Sequence, residues 1–140
     1  MGLDGMALNG IRVLDFSWVM AGPITGHLCA DFGAEVIKVE SRSKLDAQRR
    51  HRPVPLPGTS VEAGDRGELP EITPFFHLLN RNKRGITVNL KHPRGISLVK
   101  ELAKVSDVVL DNFTPGTMKK LGLDYHHLGK LLVVANHHSH

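Results

Sequence analysis

The sequence predicts an α/β protein built on a parallel sheet, and three observations carry that expectation. A strand pattern, a helix pattern and a second strand pattern follow one another within about 30 residues near the N-terminus, the length of a βαβ unit. Hydrophobic residues make up 41% of the chain but aromatics only 5%, so the core must be built from Val, Ile, Leu and Ala, the palette of buried parallel strands covered by helices. Strand-length apolar runs then keep alternating with helical patterns toward the C-terminus.

Taken in order, Ile11 to Phe16 is β-branched and alternating enough to be a first strand. It runs into a turn, Ser17 to Pro23, with the proline placed where a helix begins. Ile24, His27, Leu28, Ala30 and Phe32 follow at helical spacing until Gly33, a common helix stop. Ala34 to Glu40 reads as a second strand. Residues 41–73 then dissolve into Pro, Gly and charge, with Lys44, Arg49, Arg50, His51, Arg52 and Arg66 marking a basic loop. Loops this long are more often functional or disordered than neutral connections. Thr73-Pro74 opens a short helix as N-cap and N1. Ile86 to Leu90 is a third strand, and Pro93 to Val105 a helix burying Ile96, Leu98, Val99, Leu102 and Ala103. Asp107 to Leu110 is a fourth strand, Thr117 to Leu121 a short helix, and Leu131 to Ala135 a fifth strand.

The 140 residues fit one domain. A single cysteine, Cys29, excludes an internal disulfide and fits a reducing compartment; at mid-helix it reads as packed rather than reactive. No run of 18 apolar residues exists to cross a membrane, and the first residues lack the basic and apolar regions of a secretory signal. Gly2 lacks the Ser or Thr that myristoylation wants four positions on, where Met6 stands. A cytoplasmic location is expected. The formal charge of +4 asks for an anionic partner. Nucleic acid, an acidic membrane and a phosphorylated cofactor meet that demand equally.

Neither a G-x-G-x-x-G fingerprint, nor a phosphate loop, nor a G-x-S-x-G nucleophile elbow is present. What remains is a set of strand-to-helix turns carrying polar or basic residues, at the strand C-termini where α/β sheets bind ligands. Val19 to Gly22 offers helix N–H groups and a glycine that permits close backbone approach. Asn112 and Phe113 put an amide beside a stacking ring, suited to a purine, with Lys91, Lys119 and Lys120 available for phosphates. Equally, Phe113 is core and the lysines are solvated helix faces. The terminal His137, His138 and His140 give only a compositional hint of metal binding, and no metal is expected.

The segments Leu8 to Ser17, Ala21-Gly22-Pro23, Asp31 to Glu40, Asn80 to Leu90, Asp111 to Gly116 and Leu121 to Tyr125 together, in this order, strongly resemble family III CoA-transferases of the CaiB/BaiF kind. The resemblance covers residues 8–125 and implies the N-terminal, CoA-binding part of a Rossmann-like large domain, within an interlocked homodimer that acts on an acyl-CoA and a carboxylic acid, with no nucleic acid or membrane partner. Carried over by motif, Val19, Met20 and Ala21 line the CoA and substrate pocket. Ser41 stands where relatives often carry a phosphate-binding arginine, with Arg42 next. Val88 and Lys91 flank the adenosine, Asn112 and Phe113 lie opposite, and Lys120 matches a position that is often arginine. Lys120 can hold phosphate as a point charge, without the bidentate fork.

The mechanism implied is covalent. A carboxylate attacks the donor thioester to give a mixed anhydride and CoA thiolate. The thiolate converts the anhydride to an aspartyl-CoA thioester, which the acceptor acid attacks in turn. In relatives that aspartate follows a Ser-Gly-Phe-Gly-like turn that this sequence does not contain. The nucleophile is therefore expected beyond residue 140, with none among Asp15, Asp31, Asp107, Asp111 and Asp124. Residues 126–140 read as a divergent, truncated tail, most simply from a frameshift or early stop. The racemase and isomerase branch, which shares the CoA site but uses a His and Asp pair, and a non-catalytic CoA- or anion-binding module are the alternatives.

Overall fold

The computed structural model describes residues 5–50, 73–129 and 131–134. His51, Arg52 and Arg66 of the expected basic loop, and the histidines of the tail, lie outside the described residues. Among the described residues five parallel strands form one sheet in the order β3-β2-β1-β4-β5: β1 Arg12–Asp15, β2 Glu35–Glu40, β3 Arg84–Thr87, β4 Val108–Asp111 and β5 Leu131–Val134. Helix α1 (Ala21–Asp31) links β1 to β2, α2 (Pro74–Asn80) precedes β3, α3 (Pro93–Lys104) links β3 to β4, and α4 (Thr117–Leu121) and α5 (Tyr125–Leu128) lead to β5. This is the α/β, Rossmann-like parallel sheet that the sequence predicts. No helix among the described residues is long and apolar enough to cross a membrane.

Side chains alternate across the strands and divide the core in two. Val13, Val36 and Leu110 pack with Ala30 of α1 and with Ala34. Leu14, Val39 and Val109 pack with Val99 and Ala103 of α3 and Met118 of α4. Each of the valines and leucines stabilises the fold by about 2 kcal/mol through burial.

Local signals place most element ends. The Thr73 hydroxyl accepts from the Phe76 N–H at 3.0 Å, with Pro74 at the first helical position. Gly33 follows α1 at φ +99°, a conformation natural to glycine just past a helix. Three expectations need correction. The third strand runs over Arg84–Thr87 rather than Ile86–Leu90, because pairing with β2 ends where the Val88 N–H reaches the Glu40 carbonyl at 2.7 Å. Asn89 then turns the chain by accepting from the Lys91 N–H. Leu98 is 52% exposed: the buried seam of α3 is set by Val99 and Ala103, and Leu98 sits about 100° of helical rotation from Val99. Helix α5 was not anticipated, although Asp124 at its N-cap position is a recognisable start signal.

The described part of the expected basic loop, residues 41–50, also holds core. Ser41 and Lys44 form a bridge, Ala47–Arg50 a 3₁₀ turn, and Asp46 is completely buried. Arg49 pairs with buried Glu40 at 2.5 Å and lies 3.7 Å from the centre of the Phe76 ring. Burial by itself raises the Glu40 carboxyl, but the hydrogen bond and charge of Arg49, followed by the charge of Lys38, outweigh it and hold that carboxyl below its ordinary range.

Candidate functional site

In this strand order β1 and β4 are neighbours whose following connections lead to opposite sides of the sheet. The crevice beyond their C-terminal ends is where an open parallel sheet binds ligands. Two loops meet there. Ser17–Met20 leaves β1 for α1, and Asn112–Gly116 leaves β4 for α4. The Asn112 amide joins them twice: its oxygen accepts from the Trp18 N–H at 2.8 Å and its NH₂ donates to the Trp18 carbonyl at 2.7 Å. Trp18, the only tryptophan in the sequence, meets Phe113 edge to face with ring centres 5.7 Å apart. The Lys44 ammonium stands 5.0 Å from the Trp18 ring centre, a favourable cation–ring distance.

The turn itself is strained and close-packed. Val19 has φ +69°, which costs a β-branched residue about 1–2 kcal/mol. A side chain on Gly22 would put Cβ 2.2 Å from Ser17 Cβ and 3.3 Å from Asn112 Cγ, so only glycine lets α1 start this near the strand end.

Beneath the turn lie two buried ion pairs. Asp15, fully buried, accepts from Lys83 at 2.8 Å through one oxygen and from the Ser17 N–H at 2.8 Å and its hydroxyl at 2.5 Å through the other. Lys83 also donates to the Pro23 carbonyl and the Asn80 side chain. Desolvation lowers the Lys83 ammonium below its ordinary range, against the pull of Asp15. Lys38 donates to the Ser17 carbonyl at 2.7 Å and pairs with Asp46 at 3.3 Å.

Of the nine positions that the sequence nominates, five come together here. Val19, Met20 and Ala21 are exposed on the turn, and Asn112 and Phe113 are half-buried opposite. Arg42 is exposed in the turn after β2, Lys91 after β3, and Lys120 on α4; each is without an ion-pair partner among the described residues. The Val88 side chain is buried in the core cluster. Trp18, Lys38, Lys44 and Asp46 were not among the nominated residues. Trp18 could have been found as the aromatic directly between the strand end and Val19.

A cavity of about 520 Å³ opens at the opposite, N-terminal edge of the strands, among Arg12, Glu35, Asn82, Arg84 and Asp107. Its cations are engaged internally: Glu35 pairs with Arg12 at 2.5 Å and with Arg84 at 2.8 Å, and Arg12 also donates to the Val105 carbonyl. The free cations and the converging aromatics instead favour the C-terminal edge.

One carboxyl near the crevice is incompletely satisfied. Asp111 ends β4 at 3% exposure; one oxygen accepts from the Phe113 N–H at 3.0 Å, and the other has no partner among the described residues. Desolvation raises its pKa. The folded state therefore holds this proton more tightly than the unfolded chain, so stability falls as pH rises from the ordinary carboxyl value through the folded one and stays lowered above it. Asp111→Asn keeps the acceptor for Phe113 and removes the charge. It is expected to raise stability at neutral pH by about 1 kcal/mol. Thermal melts should show that gain fading as pH falls toward the ordinary carboxyl value of 3.8.

A model of CoA-transferase family III matches residues 8–135. An acyl-CoA transferase of Fusarium pseudograminearum is 43% identical over 129 residues, 89% of this chain and 26% of that protein. The succinyl-CoA:glutarate CoA-transferase of Mus musculus is 40% identical over 124 residues, 89% of this chain and 26% of that protein. Among solved structures, a CaiB/BaiF family protein from Brucella suis superposes with a TM-score of 0.71 at 35% identity, covering 88% of this chain and 30% of its own. The chain thus spans about a quarter of the length of the curated relatives it matches.

Proposed function

The chain belongs to CoA-transferase family III, and from that premise we propose that it is the CoA-binding part of an acyl-CoA:carboxylate CoA-transferase. The observation that carries the reading is the Asn112 clasp on Trp18, which closes the β1 and β4 loops into one aromatic-walled crevice at the switch point. A crevice of this kind suits the adenine and pantetheine of CoA. Arg42, Lys44 and Lys91 on the neighbouring loops and Lys120 on α4 suit its phosphates. The partners are an acyl-CoA and a carboxylic acid. The whole protein acts in the cytoplasm as a homodimer.

The carboxylate that becomes acylated is not among this chain's residues in our reading. The site's own carboxylates support this. Asp15 is saturated by Lys83 and Ser17, and Asp46 is held by Lys38. Asp111 is enclosed at the end of β4. A nucleophile needs an accessible oxygen, and all three carboxylates are buried.

Titrating CoA while following Trp18 emission tests the binding claim. Saturable quenching is expected, and Asn112→Ala should weaken it about tenfold by leaving the Trp18 backbone groups unpaired. No quenching and no bound CoA would contradict the reading. The same chain is expected to transfer no CoA from succinyl-CoA and to form no covalent thioester detectable by mass; either would overturn the absent nucleophile.

A further inference from the structure

Five successive backbone groups of the β1–α1 turn are each held by a side chain rather than by another backbone group. The Ser17 N–H donates to Asp15, the Ser17 carbonyl accepts from Lys38, and the Trp18 N–H and carbonyl both bond Asn112. The Val19 N–H donates to Asp46 Oδ1 at 3.3 Å. Two of the four clamps, Lys38 and Asp46, form a single ion pair with side-chain exposures of 3% and 0%. The Asp46 oxygen that meets Val19 also accepts from the Gln48 N–H at 3.1 Å, while the other oxygen faces Lys38. The ion pair therefore spans the turn, holding Ser17 from β2 and Val19 from the segment after β2. Val19 is the residue at φ +69°, a conformation that persists in a β-branched residue only where the surroundings impose it.

We infer that Asp46, anchored by Lys38, is a positioning residue that sets the left-handed conformation of Val19 and so preorganises the CoA-facing turn. This rests on the CoA reading above for its ligand, though not for its mechanics. Asp46 is completely buried and acts through the Val19 N–H. Without it the valine relaxes toward ordinary backbone angles, and the exposed Val19-Met20-Ala21 edge moves away from Asn112 and Phe113.

The test is a double-mutant cycle in the full 140-residue chain, with CoA as the probe. Asp46→Ala is expected to raise the CoA Kd about tenfold, the scale of the left-handed penalty that binding must then supply. Glycine adopts that conformation freely, so in a Val19→Gly background the same Asp46→Ala change should raise Kd less than about threefold. An equal loss in both backgrounds, or no loss in the first, overturns the inference, since a general loss of fold would not depend on residue 19. Should Asp46→Ala fail to fold, Asp46→Asn keeps the volume and weakens the anchor to Lys38, and the same comparison applies. Hydrogen exchange of the CoA-free chain supplies a readout independent of ligand. The Val19 amide should exchange at least about tenfold faster in Asp46→Ala, and unchanged exchange counts against the inference even if CoA does not bind.

Discussion

Lys83→Met is expected to lower stability by about 3–5 kcal/mol, the cost of leaving a buried charge without its partner. Lys83 serves three acceptors at once, Asp15, Asn80 and the Pro23 carbonyl. Asp15 has no route to water at 0% exposure, so the variant must bury a bare carboxylate or protonate it. Against a typical domain stability of about 5–15 kcal/mol, the loss is large enough to lower Tm by about 10–20 °C. Asp15→Asn in the same chain should restore part of it. The amide keeps an acceptor for the Ser17 N–H and carries no charge. A Lys83→Met melt within a few degrees of the parent chain would show that the pair contributes little. A double variant no better than the single would show that the loss comes from packing of the lysine stem.

Gly22→Ala has the largest expected effect on binding. The added methyl would sit 2.2 Å from Ser17 Cβ and 2.6 Å from Ser17 Oγ, well inside contact distance, so α1 or the strand end must shift. Overpacking of this kind costs about 1–3 kcal/mol, and the shift opens the very loop that Asn112 clasps. CoA affinity should fall about 10–100-fold. Gly85→Ala is the matched control: a methyl there meets nothing within 4 Å and its backbone is unstrained, so its CoA affinity should stay at the parent value. Equal effects at the two glycines would remove the steric argument.

Most of the fold was legible because its signals are local. Thr73-Pro74 names its own helix start, and Gly33 ends α1 whatever surrounds it. Pro93 and Thr117 open α3 and α4 where expected. The bounds of the third strand are not local, because its register is fixed by β2, far away in sequence, and because an edge strand with exposed residues carries little alternation. The site divides the same way. Val19 to Ala21 and Asn112-Phe113 could be nominated from their motifs at strand ends. Lys38 could not, since a lysine between Ile37 and Val39 reads as a solvated strand position until Asp46 is known to meet it. Asp46 is masked by the opposite effect, the one acid of residues 41–61 among Arg42, Lys44, Arg49, Arg50 and Arg52. Arg49, likewise nominated as loop charge, is committed to Glu40 and the Phe76 face. Specific side-chain pairs, eight to 68 residues apart, supply the buried electrostatics, and one sequence alone does not reveal its pairs.

Amide chemical-shift mapping of the labelled chain during a CoA titration reports whether CoA lies across the C-terminal ends of β1 and β4. This placement puts the largest shifts on Trp18 to Gly22, on the Trp18 indole N–H, and on Asn112 and Phe113. Shifts concentrated instead around Arg12, Glu35, Arg84 and Asp107, at the cavity on the opposite edge of the sheet, would contradict it.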